Sequence, residues 1–470
     1  MATPEAVKPH PPAVSRRGFL NRAATGGLGI ALVGSVDTVF GAGPADARPT
    51  GRHPRTGYGP LVPDPDGLLS LPAGFHYTVV AQSGVSRLDT GEPTPSDPDG
   101  TAAFARRDGN GSVLVTNHEI DGTEPYGVPH HTGLVYDPEA HGGTTTIEVD
   151  RHGRRLREYV SVAGTHDNCA GGRTPWDTWL TCEETEEVLG RPHGYVFEVD
   201  PYSQVRNLHP KPIRALGRYA HEAVAIDPRH GRIYLTEDAG EPNGLLYRFT
   251  PPRAALPLRY GSLRALADDA GTLQALAAYT AGGRFVPDLS VAARPGTRYR
   301  AEWVTVPDRD ATRTPTRKQF RDGQVTRSRK LEGMWWADGG TYFVASFARA
   351  EDGSAAEHDG QVWFHDPAAG TIELRLRFAY TPSDQDGDED GPDNITVSPF
   401  GGVILAEDGE GVNHLVGATA SGEAFFFARN DLNDSEFTGP TFSHDHRTLF
   451  ANIQTPGHVL AIQGPFRHQR

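Results

Sequence analysis

Cysteine is scarce in this chain: Cys169 and Cys182 are the only two among 470 residues. That excludes a disulfide-dense scaffold, whose small core needs several bridges. A basic surplus is also missing. Lys+Arg number 45 against 60 Asp+Glu, for a net charge of −15. Nucleic acid is therefore not expected as a stable partner, because phosphate backbones call for a basic face. Beyond the N-terminal region no apolar run approaches the roughly 20 residues of a membrane-spanning helix. The mature chain is accordingly expected to be free of the membrane. No G-x-S-x-G elbow, glycine-rich P-loop or H-E-x-x-H pattern occurs, which argues against serine-hydrolase, nucleotide-phosphate and zincin chemistry.

What is present begins at the N-terminus. Ser15-Arg16-Arg17-Gly18-Phe19-Leu20 precedes a mildly apolar run from Ala23 to Val36, then the small-residue exit Ala45-Asp46-Ala47. Charged region, apolar region and A-x-A site in that order read as a secretory leader over 1–47. The paired arginines assign it to the Tat route. The Tat translocase is thus an expected partner, and a secreted or periplasmic location follows. Folding before export also leaves the cysteines two options, a late disulfide or a metal-bound thiolate.

Fifty-five glycines and 38 prolines speak for turns rather than long helices. Two short patterns recur in the same order along the chain. The first is an apolar strand that often ends in an acid or amide: SVLVTNHE from Ser112, DTWLTCEE from Asp177, RIYLTED from Arg232, TYFVASF from Thr341, GVILAED from Gly402 and RTLFANIQ from Arg447. The second follows a glycine: GLVYD from Gly133, GYVFEVD from Gly194, GLLYRFT from Gly244, GQVWFHD from Gly360, GEAFFFA from Gly422 and GHVLAI from Gly457. Strand pairs repeated in this way point to an all-β, six-bladed propeller over 48–470. The longest gap, 251–330, is expected to be an insertion between the third and fourth blades. Leu266, Leu273, Leu276 and Ala277 recur there at helical intervals and predict a helix near Leu263–Tyr279. Its end is basic, with Arg313, Arg317, Lys318, Arg321, Arg327, Arg329 and Lys330. A solvated insertion or a cover over an anionic substrate would both produce that.

Acids gather where strands end: Glu119, Cys182-Glu183-Glu184, Glu237-Asp238 and Glu407-Asp408, with Glu222 and Glu332 just ahead of apolar strands. Carboxylates from several blades converging on one axis repel one another unless cations neutralise them. Oxygen ligands in excess suit calcium, magnesium or ferric iron, and a thiolate requires a softer transition ion, so iron or zinc beside calcium is expected. The acidic run from Asp384 to Gly391 resembles an EF-hand loop, but position 12 counted from Asp386 is Val397 instead of glutamate.

One block is more specific. Asn168-Cys169-Ala170-Gly171-Gly172-Arg173-Thr174-Pro175-Trp176-Asp177-Thr178-Trp179-Leu180-Thr181-Cys182-Glu183-Glu184 resembles the signature of the PhoX-type alkaline phosphatases. Val115 to Glu119, His221-Glu222 and Gly391-Pro392-Asp393-Asn394 fit the same family in the same order. The resemblance implies a cluster of iron (Fe3+) and calcium on the propeller axis and hydrolysis of small phosphate monoesters, with diesters a further class. It implies Cys182 as the thiolate ligand and Glu222 and Glu332 as carboxylate ligands. Further ligands are implied among Glu183, Glu184, Asp393 and Glu407. Asn117 would lie beside the cluster, and Arg173 and Lys330 would bind phosphoryl oxygens. The chain departs from the family pattern at both cations, where lysine and an Arg-Pro-Glu arginine are common, and the two side chains bind oxyanions differently.

Overall fold

The computed structural model describes residues 56–347, 358–379, 391–409 and 411–469. The leader at 1–47 and the acidic stretch 384–390 lie outside them. Among the described residues every helical piece is a 3-10 turn, and the rest of the regular structure is strand.

Alternation of side chains along the strands sets the architecture. In Ser112–His118, Leu114 packs with Val80, Ile147 and Phe450, whereas Val113 and Val115 pack with Phe104, Val162 and Trp179. Both faces of one sheet are therefore covered by neighbouring sheets, as period-2 geometry allows. Four antiparallel sheets are arranged in this way like propeller blades. One runs Pro98–Ala105, Ser112–His118, Gly142–Val149, Arg155–Thr165, and another Asn168–Arg173, Trp179–Glu183, Val196–Val199. A third runs Pro392–Val397, Val403–Glu407, His414–Ala418, Ala424–Asn430, with Leu69–Pro72 and Leu61–Val62 added outside. The fourth combines Phe437–Phe442, Thr448–Ile453 and His458–Gln463 with His76–Gln82 from the other end of the chain.

A ten-stranded sheet makes up the remainder. It runs from His221–Ile226 through Ile233–Glu237, Leu246–Thr250, Thr272–Tyr279 and Arg298–Thr305, then back from Thr371–Ala379 to Leu331–Ala337. Its two end strands touch, so it nearly closes on itself. The helix expected near Leu263–Tyr279 is absent: 272–279 is a strand. Leu273 and Ala275 enter one core cluster while Leu276 and Ala278 enter another. A short run buried on both faces is apolar throughout, and periodicity cannot distinguish it from a helix.

The strand patterns also need correction in detail. The first-pattern segments are the second strands of their sheets, not the innermost ones. GLVYD forms no named strand, its place being taken by Gly142–Val149, and GEAFFFA is a fourth strand. The inner strands are Pro98–Ala105, Asn168–Arg173, His221–Ile226, Leu331–Ala337, Pro392–Val397 and Phe437–Phe442. Each touches the next, and the last touches the first. They meet so closely that the space between them is about 30 Å³, room for one water. Glycine makes the approach possible: a Cβ on Gly100 would lie 2.6 Å from Ala170 Cα, and one on Gly333 2.8 Å from Asn394 Cα.

Candidate metal centre

Because the inner strands run in the same direction around the ring, residues at their N-terminal ends gather on one side. Cys169, Glu222, Glu332 and Asp393 each occupy the second position of an inner strand. Loops beside them add Glu184, Asp408 and Glu436. Three overlapping sets result: Cys169 with Glu184 and Glu222, Glu222 with Glu332 and Asp393, and Asp393 with Asp408 and Glu436. In each set the ligand atoms lie within 4.8 Å of one another. At that separation two ionised carboxylates repel by ~3.5 kcal/mol even at an effective dielectric constant of 20. Lys330 stands 3.3 Å from Glu332 and 4.0 Å from Asp408. Its single charge cannot offset six carboxylates and a thiol. The donor set thus fits several cations, all-oxygen at one end and sulfur-containing at the other.

Burial sharpens the contrast between the two thiols. Both are wholly buried and their pKa values are pushed well up by desolvation. Cys169 is pushed further by the charges of Glu222, Glu184 and Glu119, while Cys182 feels only Glu183. Cys182 belongs to none of the three sets and packs in a core with Val196, Ile213 and Leu235. The bulge between Asn168 and Gly171 sets the register of the strand that carries Cys169.

Of the residues expected at the site, the structure brings together Glu184, Glu222, Glu332, Asp393 and Lys330. Glu183 is engaged elsewhere. Its oxygens accept from the backbone N–H groups of His166, Gly194 and Tyr195 at 2.9–3.0 Å and meet His193 Nδ1 at 2.7 Å. Burial opposes charge on His193, but Glu183 and Asp137 outweigh it and raise its pKa. Glu407 accepts from the backbone and ring of His414 at 2.7 and 3.0 Å. The Asn117 amide donates to Cys169 O at 2.8 Å and Ala170 O at 2.7 Å, and accepts from Trp179 at 2.9 Å. Both its donors hold the backbone around Cys169. Arg173 lies four residues beyond Cys169 on one strand, ~13 Å further along. There it pairs with Asp177 at 2.7 Å and covers the Phe104 ring.

Residues brought to the centre that motif reading did not assign as ligands are Cys169, Asp408 and Glu436. Asp408 adjoins an expected ligand, Glu407, whereas Cys169 lies 13 residues ahead of the thiol that the resemblance implied. Glu436 follows no pattern and arrives only because its strand closes the ring. Lys330 adopts φ +46, a strained setting for a non-glycine residue that recurs at functional sites.

Fold and site define a propeller-like all-β protein with an oxygen-rich centre suited to several cations. The model of the alkaline phosphatase PhoX family matches residues 56–457. The chain belongs to that family and is a phosphoric ester hydrolase of a metal-dependent kind. The structure is similar to Pseudomonas fluorescens PhoX in complex with vanadate, a transition-state analogue, with TM-score 0.64, 20% identity, and coverage of 85% of this chain and 96% of that one. Weaker likeness extends to a Xanthomonas campestris gluconolactonase (TM-score 0.42, 13% identity, 87% and 99% covered). It also extends to the PQQ domain of Coprinopsis cinerea pyranose dehydrogenase (TM-score 0.44, 11% identity, 85% and 98% covered). No curated protein sequence matches the chain.

Proposed function

We propose that this protein is an exported phosphatase that hydrolyses phosphate monoesters, and diesters as a second class, at an iron and calcium cluster on the axis of a six-bladed propeller. The observation that carries the proposal is the row of three overlapping donor sets beside Lys330. Counting His221–Thr250 with Thr272–Tyr279 as one blade and Leu331–Ala379 as another gives six, one per inner strand. In our assignment Cys169, not Cys182, is the thiolate ligand, and with Glu184 and Glu222 it holds iron. Asp393, Asp408 and Glu436 offer oxygen alone and hold calcium, while Glu332 bridges the two ends.

Cations held there supply Lewis-acid stabilisation of charge on the phosphoryl oxygens. The chain's own groups do the rest. Lys330 binds a non-bridging oxygen of the ester and offsets charge that grows in the transition state. Asn117 fixes the carbonyls of Cys169 and Ala170, and Ser346 orients Glu332 by donating at 2.7 Å. No serine nucleophile is needed. Glu183, Glu407 and Arg173 brace the surrounding strands.

Support for export is the leader at 1–47, and among the described residues no helix is long and apolar enough to cross a membrane. We assign the Tat translocase as the export partner because a cluster assembled before export avoids iron scarcity and thiol oxidation outside. The test is direct. Purified, metal-replete protein should release phosphate from p-nitrophenyl phosphate, lose that activity with chelator, and contain iron together with calcium. Full occupancy of both metals without turnover of either ester class overturns the proposal.

A further inference from the structure

Besides ending on Lys330, the insertion at 251–330 meets the segments beside the sulfur-containing set through one buried guanidinium. Arg317 is nine-tenths buried, and its Nη1 lies 2.6 Å from Glu186 Oε2 and 3.2 Å from Glu237 Oε1. Glu186 stands two residues beyond Glu184. Glu237 pairs across the sheet with His221, the neighbour of Glu222. Arg317 thus joins the loop that carries Glu184 to the end of the strand paired with the Glu222 strand.

The placement of Arg317 is itself braced. Its carbonyl accepts from Arg327 Nη2 at 3.0 Å, and the Thr316 hydroxyl meets Tyr247 OH at 2.8 Å. Tyr247 OH in turn donates to Glu237 Oε2 at 2.7 Å. The 184–187 loop is otherwise held largely through its backbone, with the Glu187 carboxylate also meeting His166 Nε2 at 3.3 Å. Arg218 donates to the carbonyls of Glu186 and Glu187, and Glu184 N donates to Asp167 O at 2.8 Å. The Arg317–Glu186 pair ties the loop to the insertion. Arg317 Nε has no acceptor, so burying this cation carries a desolvation cost that hydrophobic packing would avoid. A costly buried charge placed between the loop that carries Glu184 and the strand beside Glu222 is an arrangement that fixes geometry.

We propose that Arg317 is a positioning residue. Through Glu186 it holds the Glu184 carboxylate in place for the metal, so that the insertion acts as a latch on the centre. This rests on Glu184 being a ligand. Partners of metal ligands characteristically contribute 10–100-fold to metal affinity.

The experiment follows iron release from the purified holoprotein into excess chelator, together with the visible thiolate-to-iron absorption, for wild type, Arg317→Ala, Glu186→Gln, their double variant and Glu184→Gln. Arg317→Ala and Glu186→Gln should each release iron about 10-fold faster or more and shift the absorption band. The double variant should be no worse than the single ones, because both remove one interaction. Arg317→Lys, which keeps the charge, should recover part of the loss. Should Arg317→Ala fail to fold, Glu186→Gln carries the test, since it leaves the Arg317–Glu237 pair in place. Wild-type release and spectrum in both single variants, with iron lost from Glu184→Gln, overturn the latch and leave Glu184 a ligand. Wild-type iron content in Glu184→Gln instead removes Glu184 from the centre, and the latch with it.

Discussion

Cys169 and Cys182 lie on adjacent strands of one sheet and share one hydrophobic core cluster, yet only Cys169 also meets carboxylates, those of Glu184 and Glu222. Cys169→Ser should therefore deplete iron and lower phosphate release by at least about 100-fold, as expected when a metal-assisted step is lost. Cys182→Ser should retain the metals but cost about 1–3 kcal/mol of stability, the penalty of a buried hydroxyl without a good partner. Elemental analysis and thermal melts of the two variants separate these outcomes. The two cations part in the same manner. Lys330→Ala should reduce kcat by roughly 10²–10³, the scale for losing one oxyanion-stabilising group, whereas Arg173→Ala should leave phosphate release within a few-fold. Both contrasts were hidden in the sequence. Cys169 and Cys182 sit in a single motif, and which thiol faces the acids depends on the bulge after Asn168. Glu237 adds a pH signature: burial raises its pKa to about 7, against the opposing pull of Arg317 and the Tyr247 hydrogen bond. Between its ordinary value and 7 the folded form keeps a proton that the unfolded chain has released, so stability falls as pH rises through that window and is level above it. Melts at pH 5 and pH 7 should show this slope in the wild type and a smaller one in Glu237→Gln.

At the scale of strands, the repeat was readable because second strands such as Ser112–His118 and Val403–Glu407 carry β-branched and other aliphatic residues between turn formers. The inner strands were harder to read. NCAGGR, LEGMWWA and FTGPTF each place a glycine where neighbouring strands approach closely, and they carry little periodic signal. Four ligand positions lie on inner strands, so the difficulty in reading the fold and the difficulty in reading the site have a common origin. The misread segment 272–279 supplies its own check. Leu276 is fully buried in a strand, and Leu276→Ala should cost about 2–5 kcal/mol in urea unfolding, the range for a core leucine. Near-wild-type stability would favour an exposed helical position. Gly333→Ala should also lower the melting temperature, because its Cβ would press on the Asn394 backbone.

Across the whole molecule, the donor sets connect four inner strands and the loops before and after others, so ions bound there act as ties between sheets. Removing them leaves buried carboxylates in mutual repulsion. Chelation of the holoprotein should lower stability by several kcal/mol, about 4 kcal/mol if the ions are present at 1,000 times their dissociation constant, and calcium with iron should restore it. Calorimetry with and without chelator measures the difference. Ring closure has a temporal side as well. The sheet of Phe437–Gln463 is completed by His76–Gln82, a strand from near the opposite end of the chain. A ribosome adding ~5–20 residues per second needs on the order of 20–80 s to reach the partner of that strand. Throughout that interval the early strand waits with an open edge that a chaperone can engage. Completion of the polypeptide, not its initiation, thus decides when the molecule can close.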